Sequence, residues 1–441
     1  MSNKTLKTMK IRIIILLILS ATTGLLAQVP EPAAPQEEAI LLKGGIAHLG
    51  NGQVIQNSFI AFDQGKITLV ADATSTRIDF AGYKIIDITG KHVYPGFILP
   101  NSQVGLQEVS SIRAMDDYRE RGDFNPNVRA LVAYNTDSEL PPTFRVNGIL
   151  LAETTPTGGR FSGSSSLMHM DGWNWEDAVH TADVAIHMNW PARKTGQFDF
   201  ATFTFNRKPN KDYDKQVREV AAFFDDALAY GAATAKERNL KLEAMQGLFD
   251  GTKVLMVHTS GPKDIVDAVA MAKEKGVQRV AIVTGTDALL VKDFLAANKV
   301  PVVLTRLHSL PGREDMDVDL PYRMAVELTQ AGVTVALSHT GMLALARNLP
   351  FYAGTSAAYG LDKEEALKLI TLNPATILGV ADKLGTLAEG KDATLFVSEG
   401  DALDFRTNRV LQAYIQGRQL HLKNRQQVLY ERYIKKYGLQ K

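Results

Sequence analysis

His92-Val-Tyr-Pro-Gly-Phe-Ile-Leu-Pro-Asn-Ser-Gln103 stands at the junction of two differently patterned parts of a 441-residue chain. Upstream of it, short β-compatible runs follow one another. They are Ala39 to Ile46, Ser58-Phe-Ile-Ala-Phe62, Lys66-Ile-Thr-Leu-Val70 and Tyr83-Lys-Ile-Ile-Asp87, with turns such as Asp63-Gln-Gly65 between them. Downstream, the apolar runs Lys253 to His258, Arg279 to Thr284, Pro301 to Leu304 and Val333 to Ser338 alternate with segments of helical spacing, such as Asp264 to Lys275 and Asp287 to Asn298. Buried-type strands separated by helices predict a parallel sheet. Four such units fit a (β/α) barrel. A doubly wound open sheet satisfies the same periodicity. Short β elements return at Lys391 to Val397, Val410 to Ile415 and Gly417 to His421, and Gln426 to Tyr437 reads as a helix.

Composition narrows the function classes. Hydrophobic content of 45% and charged content of 22% are ordinary for a globular protein. A formal net charge of +1 gives no bulk basic field for nucleic acid. The absence of cysteine excludes disulfides, thiolate nucleophiles, Cys-ligated zinc, iron–sulfur clusters and a lipobox. Lys4, Lys7, Lys10 and Arg12 precede the apolar run Ile13 to Leu26, and Ala27 offers a cleavage point before Gln28. Residues 1–27 therefore read as an export signal. The apolar run is shorter than the roughly 20 residues of a spanning helix. The expectation is an exported protein, periplasmic or extracellular, with no stable membrane anchor after cleavage. Residues 28–38 read as a flexible leader.

Four blocks carry a family resemblance. They are Ile40 to Gly52 with Phe62 to Ile67; Lys91 to Gly105; Ala366-Leu-Lys-Leu-Ile-Thr-Leu-Asn-Pro-Ala-Thr-Ile-Leu-Gly-Val380; and Leu384-Gly-Thr-Leu-Ala-Glu-Gly-Lys-Asp-Ala393 with Ile415-Gln-Gly-Arg418. In this order they resemble the imidazolonepropionase-like branch of the amidohydrolases. The resemblance implies an α/β fold: a TIM-like (β/α)8 barrel over 95–382 with a small β-sandwich domain built from both chain ends, 39–94 plus 383–421. A C-terminal helix would occupy 422–441. The implied activity is hydrolysis of a C–N bond, in a non-peptide or cyclic amide. The nucleophile would be a metal-bound hydroxide formed from water whose pKa the metal lowers to about 7.

The family's first strand reads Pro-Gly-hydrophobic-Ile-Asp-x-His-x-His, and its histidines bind the metal. Here Pro95, Gly96, Phe97 and Ile98 fit, Leu99 replaces the Asp, and Asn101 and Gln103 replace the histidines. Amides are weak neutral donors and do not replace two imidazoles on a first-row metal. His258 matches the strand-five ligand. Thr284 stands where the strand-six His belongs. The strand-eight Asp, which acts as general base, falls on His339 or Thr340. The strand-four ligand is not located, and Glu153 is a poor candidate because it belongs to an earlier strand. A remnant of His258, His339 and Gln103 would hold a divalent metal such as zinc only weakly, with His339 as the candidate catalytic group.

Other mouth residues are read more loosely. Glu108, Asp116, Asp117 and Glu120 follow strand one, where a loop over the barrel's C-terminal face is expected. Thr157 to Ser166 is Gly/Ser-rich but lacks a Walker Lys. Arg160 within it could clamp a substrate carboxylate. Trp173, Trp175 and Trp190 form either an aromatic wall or ordinary packing. The expected pocket is thus Asn101, Gln103, Glu108, Asp117, Arg160, Thr284 and Thr340. Two functions remain open. One is a hydrolase working through a rebuilt site. The other is a non-catalytic relative that binds a small-molecule ligand, or pairs as a homo-oligomer or with a related active amidohydrolase.

Overall fold

The structure, a computed structural model, describes residues 31–109, 112–199, 203–234, 237–312 and 315–439. The expected export signal, 1–27, lies outside the described residues. Residues 33–38, expected as a free leader, are instead fastened to the body. The Ala33 N–H donates to Asp171 Oδ2 at 3.0 Å. The Gln36 side chain donates to the Phe62 carbonyl and accepts from the Gly65 N–H.

Both chain ends enter one eight-stranded sheet. Ala39–His48 pairs antiparallel with Val54–Asp63 and parallel with Tyr83–Asp87 and His92–Pro95. His92–Pro95 pairs in turn with Leu395–Ser398, which pairs with Val410–Ile415. Two hairpins are closed by two-residue turns, Gln64-Gly65 and Gln416-Gly417, with positive φ at all four positions. That is the turn whose twist matches paired strands. The sheet curls: Ile67 N–H donates to the Lys391 carbonyl and Ala393 N–H to that of Gly65. Ile60, Phe62, Ile67, Val93, Leu395 and Tyr414 fill one face. The small β-domain expected from both chain ends is thus built on one curled sheet.

The second sheet is a nearly closed eight-stranded barrel. Its strands, in order, are Phe97–Ser102, Ile149–Thr154, Phe161–His169, Val179–Asn189, Val254–His258, Val280–Thr284, Val302–Leu304 and Val335–Leu337. Strands five to eight are separated by the helices Pro262–Glu274, Lys292–Ala297 and Leu320–Gln330, as the spacing predicts. The first half departs from the (β/α) pattern. Strand three runs antiparallel to both neighbours. Only six residues separate strands two and three, too few for the crossover of a dozen or more that a parallel return needs. The second half of the Gly/Ser-rich segment, Phe161 to Ser166, therefore belongs to a strand that is buried along its whole length. Strands eight and one are joined through Leu369-Ile370, whose carbonyls accept from Leu337 N–H and Ile98 N–H.

The tryptophans form no common wall. Trp173, beyond the end of strand three, is 63% exposed. Trp190, past the end of strand four, is buried and donates to the Tyr213 hydroxyl.

Candidate functional site

Seven strands run in the same direction, so their C-terminal ends share one rim. Backbone bonds tie that rim together. Thr155 N–H donates to the Ser102 carbonyl, Trp190 N–H to His258, Thr259 N–H to Val283, Thr305 N–H to Thr284 and Thr340 N–H to Thr305. Ser338 Oγ closes the circle on the Pro100 carbonyl at 2.6 Å. Asn101, His258, Thr284, His339 and Thr340 all belong to this rim.

Strands one to five each contribute to a buried polar line. Glu153 is fully buried. Its Oε2 accepts from the Asn101 N–H at 2.8 Å, and its Oε1 from Ser165 Oγ at 2.6 Å. His187 Nε2 lies 3.0 Å from the same Oε1, and His187 Nδ1 lies 2.8 Å from His258 Nε2. Burial works against charge on Glu153, but the bonds and charge supplied by His187, with Ser165 and Asn101, outweigh it and hold the carboxyl below its usual range. Burial first, and His187 second, push His258 down to about 3, so its ring is neutral near pH 7.

Asn101 adopts a left-handed φ of 51°, a conformation that Asn tolerates better than most residues. The turn aims its N–H at Glu153, while its own Oδ1 is buried with no hydrogen-bond partner among the described residues. Thr284 Oγ1 and His339 Nε2 are in the same state. His339 Nδ1 lies 2.8 Å from the Tyr352 hydroxyl. Burial lowers its pKa, with the Arg306 and His308 charges adding to that and a backbone bond at Met342 opposing it.

The remaining expected residues are less central. Gln103 is half-buried one residue past strand one, and its carbonyl accepts from Leu106 N–H. Glu108 is occupied by Asn135 Nδ2 at 3.3 Å and Ser138 Oγ at 3.0 Å, so it braces a loop. Asp117 is exposed on the loop after strand one. Arg160 sits at the rim, where strand three begins, but its Nη1 already donates to the Asn189 carbonyl at 2.7 Å. Thr340 anchors strand eight to strand seven through its N–H.

Glu153 sits on strand two, an earlier strand as expected, and it is the centre of the buried line. His187 is absent from the residues expected at the site, and Ser165 enters it only as part of the Gly/Ser-rich segment Thr157 to Ser166. The signal for His187 lay in Val184-Ala-Ile-His-Met188, an ionisable residue inside an apolar run. Such a residue is placed at a cost unless it is paired.

These residues do not fit the family's metal centre. One hydrogen lies between His187 Nδ1 and His258 Nε2, so at those two atoms only one lone pair exists and the partner ring uses it. Asn101 and Gln103 offer amides, and Thr284 a hydroxyl. No group of three or more His, Asp or Glu side chains among the described residues is placed to hold a metal ion.

Comparison with known proteins gives a consistent picture. Residues 234–420 match the model of the amidohydrolase family. The fold is similar to that of an amidohydrolase from Thermotoga maritima, with a TM-score of 0.74 at 22% identity, covering 87% of this chain and 100% of that one. It is also similar to a zinc-bound adenosine deaminase from Xanthomonas campestris, with a TM-score of 0.52 at 14% identity over 92% and 99% of the two chains. A putative prolidase from Bifidobacterium longum gives 0.50 at 17% identity over 90% and 100%. No curated protein sequence matches the chain.

Proposed function

We propose that this chain is a member of the amidohydrolase superfamily, a reading supported by the match over residues 234–420 and the similar fold, and that it binds a small amide-bearing molecule at the barrel rim without that family's metal-hydroxide chemistry. The 2.8 Å bond between His187 and His258 carries the reading. It commits to each other two imidazole nitrogens that a metal would need. The ligand class follows from the unpartnered rim atoms. Asn101 Oδ1 needs a donor, whereas Thr284 Oγ1 and His339 Nε2 can each donate or accept. Each such buried atom is destabilising by about 1–3 kcal/mol if it stays unpaired. An amide supplies both an N–H and a carbonyl oxygen.

A second reading has one observation in its favour. Glu153, His187 and His258 form a carboxylate–imidazole–imidazole line that ends at the rim. Such a line can orient His258 and move a proton away from a water there, giving metal-free hydrolysis of a C–N bond.

Both readings are separated by thermal unfolding and hydrolysis measured on the same samples, with N-acyl amino acids, Xaa-Pro dipeptides and cyclic amides as probes. Binding without catalysis raises the melting temperature with at least one amide class and gives no turnover. Turnover that survives chelation and disappears in His258→Ala supports the second reading instead. Turnover that requires added zinc overturns both.

A further inference from the structure

The C-terminal helix Arg425–Tyr437 is well capped and touches the body lightly, through half-buried Ile434 and an exposed ion pair of Arg425 with Glu139 at 3.7 Å. Asn424 and Gln427 form a reciprocal capping box, and Gly438 ends the helix in a left-handed conformation. Yet none of its residues is buried. Leu422, just before it, packs on the barrel core, so the helix is tethered at its start. Thirteen residues are about the length at which an isolated helix is marginal in water.

Its surface is divided lengthwise. Successive residues step about 100° around a helix. Leu429, Tyr433 and Tyr437 therefore share one face with Tyr430 beside them, and Leu439 follows past the end. Tyr430, Tyr433 and Tyr437 are 53%, 50% and 63% exposed. Arg425, Arg432 and Lys436 line the neighbouring flank. Ile434, on the opposite side of the aromatic stripe, is half-buried. Lys436 Nζ lies over the Tyr437 ring at 5.2 Å, so the cationic row borders the stripe directly. Residues 423–437 hold five cations against the single carboxylate Glu431.

We propose that this helix lies on an anionic lipid surface. Its stripe is tyrosine-rich. Tyrosine favours a boundary with one apolar and one wet side over a fully apolar interface. The basic flank runs along one border of the stripe, so its side chains can reach negative headgroups while the tyrosines sit at the lipid boundary. A second copy of the helix is a poor occupant, because two strongly basic flanks would meet. Among the described residues no helix is long and apolar enough to cross a membrane, so the contact is peripheral and reversible. It is independent of the barrel rim.

Co-sedimentation of the full chain with vesicles tests this. Vesicles of phosphatidylcholine alone are compared with vesicles that also contain phosphatidylglycerol. The parent is expected to sediment with the anionic vesicles far better than with the neutral ones, and to be released by salt. Arg425→Glu, Arg432→Glu and Lys436→Glu together should weaken that partition on the order of a hundredfold. Tyr433→Ser with Tyr437→Ser should weaken it while leaving the charge intact. The apolar run at 13–26 is common to all variants, so their differences report on the helix. The urea midpoint should move little, because none of the substituted residues is buried and the one ion pair lost, Arg425 with Glu139 at 3.7 Å, is solvent-exposed. Equal sedimentation of parent and charge-reversed chain, or equal binding to both vesicles, overturns the proposal. So does a self-association that the same substitutions abolish without any vesicle binding.

Discussion

Glu153→Ala is expected to lower the stability of the folded chain by about 3–5 kcal/mol, because several buried groups lose their common hydrogen-bond acceptor at about 1–3 kcal/mol each. The carboxylate is the common acceptor for Asn101 N–H, Ser165 Oγ and His187 Nε2. Alanine leaves all three without it in a fully buried position. A domain holds only about 5–15 kcal/mol in total, so the variant should sit near unfolding. The urea midpoint reads this, with the slope unchanged if the denatured state is unchanged. Glu153→Gln keeps one oxygen acceptor and should lose less. A loss under about 0.5 kcal/mol for the alanine variant, as for an ordinary surface substitution, would show that the buried line contributes little.

The same line sets an acid sensitivity with a definite sign. Glu153 titrates below its usual value in the fold, so its contribution is present above the unfolded carboxyl pKa and is lost as pH falls through the folded value. His258 is held neutral with a pKa of about 3 against 6.5 in the unfolded chain. Its contribution is present above about 6.5 and declines as pH drops toward 3. Both act in one direction. Stability should fall steadily below pH 6.5, and His258→Gln should flatten the decline between pH 6.5 and pH 5.

Asp171→Ala carries a comparable loss, about 3–5 kcal/mol, at the opposite end of the barrel. Asp171 Oδ1 accepts from Arg145 Nη1 at 2.5 Å, and both side chains are 5% exposed. Its Oδ2 accepts from the Ala33 N–H, and Arg418 lies 3.7 Å away. One carboxylate thereby joins the start of the described chain, the barrel and the last strand of the curled sheet. Removing it leaves the Arg145 guanidinium buried without a counter-charge. Asp171→Asn should lose less, because an amide oxygen can still accept. A urea midpoint for Asp171→Ala equal to that of the parent would contradict the assignment.

The parts of the fold legible in the sequence were those with a strong period. Apolar runs at 253–258, 279–284 and 301–304 alternate with helices because each strand is covered on both faces. The turn at Asp63-Gln-Gly65 was visible from its Gly between two β-compatible runs, whereas in the matching turn Gln416-Gly417 the glycine reads in sequence as the start of a strand. Strand three was not legible. Ser-Gly-Ser-Ser-Ser at 162–166 has no apolar alternation and reads as a loop. It is a buried strand because its hydroxyls find fixed partners: Ser164 donates to the Pro126 carbonyl, Ser165 to Glu153, and Ser166 accepts from Asp183 N–H. Asn101, Gln103 and Thr284 were expected at strand ends from the family resemblance, and the rim is where Asn101 and Thr284 lie. The buried line was not legible, because Glu153, His187 and His258 meet across separations of 34 and 71 residues.

The central claim is that a hydrogen-bonded line from Glu153 to His258 occupies the place of a metal centre. Titration of the chelator-treated full chain with zinc, read by calorimetry and by metal content after gel filtration, tests it most directly. The expected result is far less than one retained equivalent per chain, with no change when His187 or His258 is replaced. Retention of one or more tightly bound equivalents, lost in His187→Ala or His258→Ala, would contradict it.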